Sequence, residues 1–406
     1  MEHQRSIDFG VHRRSLDVIA QGTLTNSKSI DTLIKGVYPS HFVSGTDCRL
    51  TDTMGRTYID YVCGLGTCLF GYRHEHLLNA AIKEMSKGWS FSMASKTEVE
   101  AAEKLLSIFL FDRVKFLKTG SEACSAAIKI ARTATQRMKI LSSGYHGWHD
   151  EFISLAPPAY GVPSRETILP LINIGDINAS VAAVIIEPII TDCSDQRISY
   201  LNTLREICTR HGVILIFDEI ITGLRFKDLS VSRHYNITPD ILLLGKALAG
   251  GFPLAAVLGN KEIMDNKKYF VSSTFAGENI SLAVMSEVLN LLDTRVYKID
   301  ALWREGQFFI DNFNAIFKTV SITGYPTRGI FTGDKNKMNL IWQGACDANI
   351  FFGPSFFYNF CHHKYSDHVL SLLNDINQKI ENNKIKLEGE EPQSPFSSGV
   401  RNGKNG

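Results

Sequence analysis

Three hydrophobic runs in this chain end in residues that can do acid–base or nucleophilic chemistry. VAAVII (181–186) is followed by Glu187-Pro188, VILIF (213–217) by Asp218-Glu219, and ILLL (241–244) by Gly245-Lys246. A carboxylate at the end of a buried strand is costly unless a cation or hydrogen-bond donors meet it. A lysine in the same cleft is a candidate nucleophile. Two further segments belong with these. Lys118-Thr119-Gly120-Ser121-Glu122-Ala123 opens the helical stretch SEACSAAIKIAR. There Gly120 lets backbone approach an anion, Ser121 can cap the helix or bond a phosphate, and the helix start offers N–H groups and a positive dipole. Gly144-Tyr145-His146-Gly147-Trp148 is an aromatic cluster hinged by glycines, suited to stacking on a planar ligand. Taken singly, the first is an ordinary helix cap and the second a packed surface loop.

These residues can act together only if the runs are neighbouring strands of one sheet. Continuous Val/Ile/Leu runs separated by helical stretches predict a parallel sheet covered on both faces. Tyr200–His211 is one such helix, ending at Gly212. This is the α/β pattern, in which ligands sit at the carboxyl ends of the strands. Lys115–Leu117 adds a strand, 121–134 a helix, and Arg49–Tyr61 a hairpin around Met54-Gly55. The C-terminal third, with a helix over Ser281–Leu292 and short strands, reads as a smaller α+β unit. The expected division is an N-terminal segment 1–50 belonging to the small domain, a large domain 51–290, a small domain 291–381 and a disordered tail 382–406.

Composition bounds the function classes. The chain has 406 residues, 43 Lys plus Arg against 42 Asp plus Glu, and a net charge of +1. No global positive field would hold it to nucleic acid or an anionic membrane. Hydrophobic residues make up 44% and charged residues 21%, the balance of a folded globular chain. No apolar run reaches the length of a membrane span, and the first twenty residues have no apolar stretch of the kind a secretory signal needs. Eight cysteines form no CxxC pair, which predicts reduced, mostly buried thiols and a cytoplasmic location. His146 and His149, three apart, have no carboxylate or thiol partner at metal-ligand spacing, so they read as loop residues and no metal site is expected. GLGTCLFG (64–71) lacks dinucleotide-loop spacing, and neither a GxSxG elbow nor a P-loop is present.

An anion-binding helix start, a stacking aromatic, a strand-end aspartate and a strand-end lysine together suit a cofactor with a phosphate, a planar ring, a ring nitrogen and an aldehyde. Pyridoxal 5′-phosphate has all four. Asp218 would keep the pyridine nitrogen protonated and Lys246 would hold the aldehyde as a Schiff base.

The same segments, with RLTDTMGRTYIDYVCGLGTCLFGY, GYHGWHDEF, GVILIFDEIITGLRF, PDILLLGKALAGGFPLAAVLG and SSTFAGEN, resemble the class III pyridoxal-phosphate-dependent aminotransferases. Within that family the glutamate-1-semialdehyde 2,1-aminomutases and their relatives are the most similar group. The resemblance runs in the family's order over about residues 45–375. It implies a fold-type-I transferase, with a large domain around a mostly parallel sheet and a smaller α+β domain. Lys246 would be the Schiff-base lysine and proton shuttle, and Asp218 the partner of the pyridinium nitrogen. Ile220 and Tyr145 would lie on opposite ring faces, and Gly120 and Ser121 would bind the phosphate. Thr274 would reach the phosphate of a neighbouring subunit's cofactor, which implies a homodimer with shared active sites. Glu187 matches the family's Glu-Pro pair. The implied activity is amino transfer between an amine or amino acid and a carbonyl acceptor. The same machinery also serves an aminomutase acting within one substrate, or a decarboxylase or lyase. A non-catalytic scaffold relative is the remaining reading.

Overall fold

The structure, a computed structural model, describes residues 9–155, 161–162, 167–266, 268–294 and 296–393. The chain divides into two compact units, one of residues up to 74 together with 300–395, the other of residues 75–299.

The larger unit is built on seven strands: β1 (Arg113–Leu117), β2 (Lys139–Ser143), β3 (Ile168–Pro170), β4 (Val181–Ile186), β5 (Ile214–Asp218), β6 (Ile241–Leu244) and β7 (Ala255–Gly259). Their order across the sheet is β1-β7-β6-β5-β4-β2-β3. Strands β3, β2, β4, β5 and β6 pair in parallel, and β7 runs antiparallel between β6 and β1. Every residue of β4, β5 and β6 is buried, so these strands read as unbroken apolar runs: helices cover both faces. Helix α1 (Gly120–Thr135) lies on the sheet through a strip of small residues, Ala123, Ala126, Ala127 and Ala131, with Ile130 beside them. Short side chains let its backbone come close to the strands, as the strip's helical spacing requires. Helix α2 (Asp195–His211) is capped by Ser194 and stopped by left-handed Gly212, the stop expected from the sequence.

The smaller unit has a four-stranded sheet and a three-stranded sheet. In the first, the predicted hairpin is present as Arg49–Asp52 paired with Thr57–Asp60, turning through Gly55 at φ +84°. Thr57–Asp60 also pairs in parallel with Ile350–Phe351. That pairing moves the division between the units from the expected residue 51 to residue 75, because the hairpin finds its partner in the C-terminal part of the chain. The helix expected over Ser281–Leu292 is α3 (Asn279–Asp293), and it belongs to the larger unit, not the smaller one.

The expected tail also differs. Residues 384–393 lie against the smaller unit: Glu390 N donates to Lys35 O at 2.8 Å, Gln393 N to Asp31 O at 2.7 Å, and Gln343 bonds both Lys386 O and Glu388 N. Gly389 packs so closely that a Cβ there would sit 2.5 Å from Ile34 Cγ2. Backbone hydrogen bonds, not apolar mass, hold this segment, which is why composition alone misread it; residues 394–406 lie outside the described residues. Among the described residues no helix is long and apolar enough to cross a membrane.

Ile216, at the middle of central strand β5 and fully buried, tests the sheet. Ile216→Ala is expected to lower stability by about 2–5 kcal/mol, since it removes buried methylenes and leaves a cavity. Urea unfolding followed by circular dichroism measures it.

Candidate active site

Parallel neighbours β2, β4, β5 and β6 all deliver their carboxyl ends to one edge. Asp218, the last residue of β5, pairs with Leu243 of β6, three residues before Lys246. Glu187 follows β4, and Gly144-Tyr145-His146 follows β2. The convergence expected from the sequence is therefore present for Lys246, Asp218, Glu187 and Tyr145.

Asp218 is only 5% exposed. Its Oδ1 accepts from Ile220 N at 3.1 Å. Its Oδ2 is 2.7 Å from His146 Nδ1 and 3.4 Å from Cys124 Sγ. His146 is buried as well, and its Nε2 faces Ser143 O at 3.1 Å. The sequence places no carboxylate at ligand spacing from His146; the fold supplies one, Asp218 at the end of β5, and the Cys124 thiol of α1 meets the same oxygen. In the structure the loop after β2 and the end of β5 flank β4, which brings His146 to Asp218. Burial, reinforced by Asp218, pushes the Cys124 thiol well above its ordinary range, while the Lys246 charge acts in the opposite sense. Lys246 thus lies within electrostatic reach of this cluster.

Lys246 opens a short 3-10 turn (Lys246–Ala249) directly after β6 and has φ +45°. A lysine in the left-handed region carries strain that the surroundings must hold in place, and such strain concentrates at functional positions.

At the start of α1 the cap is Thr119, not Ser121. Thr119 Oγ1 accepts from Glu122 N at 3.2 Å while Glu122 Oε2 accepts from Thr119 N at 2.8 Å, a reciprocal capping box. Gly120 and Ser121 are then the first two helical residues, whose amides have no acceptor inside the helix. Ser121 Oγ accepts from Trp148 N at 3.3 Å. Gly147, at φ +101°, makes that approach possible, since a Cβ there would fall 2.3 Å from Ser121 Oγ. Ile220 is seated between the two strand-end segments: a Cβ on Gly120 would lie 2.8 Å from its Cδ1, and one on Gly245 3.2 Å from its Cγ2.

Glu187 Oε1 accepts from Tyr145 N at 2.8 Å, so this carboxylate orients the backbone of the aromatic loop. Arg197 secures it in turn by donating to Glu187 O and Pro188 O. Thr274 is exposed on the turn 274–277 and is not among the groups around Asp218. Unforeseen in the sequence is the part played by Glu219. Fully buried, it accepts from Val231 N, Ser232 N and Thr222 Oγ1 at 2.7–2.9 Å, tying down the loop that leaves the site.

The donor set suits a phosphorylated pyridine aldehyde. Orphan amides at the start of α1 would meet an anion, an aspartate a ring N–H, and a strand-end lysine an aldehyde.

Known proteins resemble this chain in sequence and in fold. The family model described as "Aminotransferase class-III" matches residues 36–165 and 163–339. Glutamate-1-semialdehyde 2,1-aminomutase of Methanosphaera stadtmanae is 31% identical over 312 residues, covering 70% of this chain and 73% of that protein. The enzyme of the same name from Methanococcus maripaludis is 33% identical over 290 residues, covering 64% and 68%. Among solved structures, the FumI protein of Sphingopyxis sp. MTA144, in its PLP internal aldimine form, superposes with a TM-score of 0.86 at 22% identity over 94% of this chain and 98% of that one. Ornithine aminotransferase of Toxoplasma gondii gives 0.77 at 23% identity over 91% and 95%. At these identities the structures establish the fold.

Burial raises the Glu219 carboxyl from its ordinary 4.5 to about 7, against the pull of its three hydrogen bonds. The unfolded chain gives up this proton near pH 4.5 and the folded chain keeps it to about pH 7. The group's stabilising share is therefore full below pH 4.5 and lost as pH rises through 7. The stability of the wild type relative to Glu219→Gln should fall across that window, as read by urea unfolding at stepped pH. A constant difference would show that Glu219 does not titrate there.

Proposed function

Because the chain belongs to the class III aminotransferase family, whose enzymes move amino groups with pyridoxal phosphate, we propose that it transfers an amino group from an amine or amino acid to a separate carbonyl acceptor. The observation that carries this reading is the delivery of Asp218 and Lys246 to one sheet edge by adjacent parallel strands.

When bound, pyridoxal phosphate supplies an aldehyde for the substrate's nitrogen and a protonated ring that draws electrons from the neighbouring carbon. Lys246 would hold the cofactor through Nζ and, when displaced by a substrate amine, take the proton from the amine-bearing carbon. Asp218 would keep the proton on the ring nitrogen. Ile220, pinned between Gly120 and Gly245, would support one ring face, and Tyr145, its backbone fixed by Glu187, the other. The Gly120 and Ser121 amides and the Ser121 hydroxyl would bind the phosphate.

Thr274 would serve the partner subunit's cofactor in a homodimer with shared sites. A run of outward apolar side chains supports this: Trp89, Phe91, Met93 and Phe275 are all more than half exposed. Trp89 O accepts from Asn279 N, which sets this run beside the turn that carries Thr274. The eight thiols, none of them in a disulfide, suit a reducing, cytoplasmic setting.

Aminomutation within one substrate is the second reading, favoured by the names of the relatives. Against it, the stretch after Gly36-Val37, where the resemblance places an arginine for the aminomutase substrate's carboxylate, has no arginine before Arg49, and Tyr38 there is buried with its hydroxyl bonded to Trp342 O.

Borohydride reduction of the loaded protein should fix the cofactor's mass to the peptide containing Lys246, and Lys246→Ala should lose that adduct. With amino donors and keto acids, Lys246→Ala should slow turnover by at least about 10²–10⁴-fold, the worth of a positioned acid–base group. Amination of an added keto acid supports transfer to a separate acceptor; isomerisation of one substrate with no external acceptor would favour the aminomutase. Labelling at another lysine would overturn the site.

A further inference from the structure

Asp218 is the centre of a buried cluster, and its two oxygens are not equivalent. Oδ2 receives two donors: His146 Nδ1 at 2.7 Å and Cys124 Sγ at 3.4 Å. Oδ1 receives one, Ile220 N at 3.1 Å. His146 faces acceptors on both sides, since the Ser143 carbonyl can only accept. Where the carboxylate accepts at Oδ2, the group that faces it from His146 is the Nδ1 N–H. The other charged groups bearing on this cluster are Glu187 and Lys246. Cys124 is fully buried in the first turns of α1. Its thiol stays protonated because burial and Asp218 both oppose ionisation, so its sulfur presents an S–H to Oδ2.

We propose that Cys124 is a positioning residue: with His146 it fills both lone pairs of Asp218 Oδ2 and so leaves Oδ1 as the oxygen that meets the ring nitrogen of pyridoxal phosphate. This rests on the assignment of Asp218 to that nitrogen. A carboxylate accepts about four hydrogen bonds, two per oxygen. His146 and Cys124 take the two on Oδ2, and Ile220 leaves one on Oδ1. The carboxylate can then neither flip nor turn without breaking three contacts. Rotation of Asp218 is what Cys124 opposes, and α1, which also presents Gly120 and Ser121, is the element that carries it. Phosphate binding and ring-nitrogen binding are thereby joined through one helix.

Two variants separate the hydrogen bond from packing. Cys124→Val fills the space and removes the donor; Cys124→Ser keeps a donor and loses volume. Apo-protein titrated with pyridoxal phosphate, followed by tryptophan fluorescence, should show Cys124→Val binding about 3–10-fold more weakly than wild type, as expected for one lost bond to a charged group. Cys124→Ser should stay within about 3-fold of wild type. The reverse ranking, or equal binding by all three, overturns the proposal. Infrared difference spectra of the apo-protein, wild type minus Cys124→Val, give an independent readout. The Cys124 S–H stretch should lie below that of a free thiol and move toward it in Asp218→Asn. A band at the free-thiol position that ignores Asp218→Asn also overturns it. Asp218→Asn should weaken cofactor binding far more than either cysteine variant. If Asp218→Asn binds pyridoxal phosphate as wild type does while the S–H band still responds to it, the contact is real and the assignment of Asp218 has failed.

Discussion

A carboxylate at the carboxyl end of a fully buried strand is the constraint around which the larger unit is arranged. Asp218 has almost no solvent, and an ionised group so placed is tolerated only when donors replace the lost water. No single element supplies them. The imidazole comes from the loop after β2, the thiol from α1 and the amide from the turn after β5. Satisfying one charge therefore fixes three segments with respect to one another. The same three segments carry Tyr145, the start of α1 and Ile220, so meeting the needs of one buried carboxylate also brings together the groups proposed to hold the cofactor.

The glycines at this edge follow from that crowding. Where Gly120, Gly147 and Gly245 stand, a Cβ would meet Ile220 or Ser121 at 2.3–3.2 Å. Their role is close approach between segments, which the requirements of the carboxylate impose. Glu219 extends the arrangement outward. It is spent entirely on Val231, Ser232 and Thr222, so adjacent acids on one strand end serve opposite purposes, one facing the cleft and one holding the loop behind it.

The sheet was legible because β4, β5 and β6 are buried on both faces, which leaves uninterrupted apolar runs, and their polar ends announce the edge. Strand β2, KILSS, was not legible, since its lysine and serines break the run, and without β2 in place His146 has no visible partner. Ser121 looked like the cap because it suits that role; Thr119 takes it because Glu122 stands at the reciprocal position. The domain division was misread for a different reason. A hairpin looks local, and nothing in its own residues reveals that its outer edge pairs with Ile350–Phe351. Likewise the segment ending at Gln393 is polar in composition yet held by backbone bonds to Lys35 and Asp31, a kind of contact to which composition is blind.

The parallel pairing of Thr57–Asp60 with Ile350–Phe351 has a bearing on how the chain acquires its structure during synthesis. All of residues 75–299 leave the ribosome before the strand that completes the smaller unit's first sheet exists. With about 290 residues between the two strands and translation at about 5–20 residues per second, the hairpin waits on the order of 15–60 seconds for its neighbour. The larger unit can bury its core within that interval, while the exposed edge of Thr57–Asp60 must be kept from pairing elsewhere. Order of manufacture therefore gives the larger unit a head start, and the nascent hairpin is the part of the molecule that chaperones have most reason to shield.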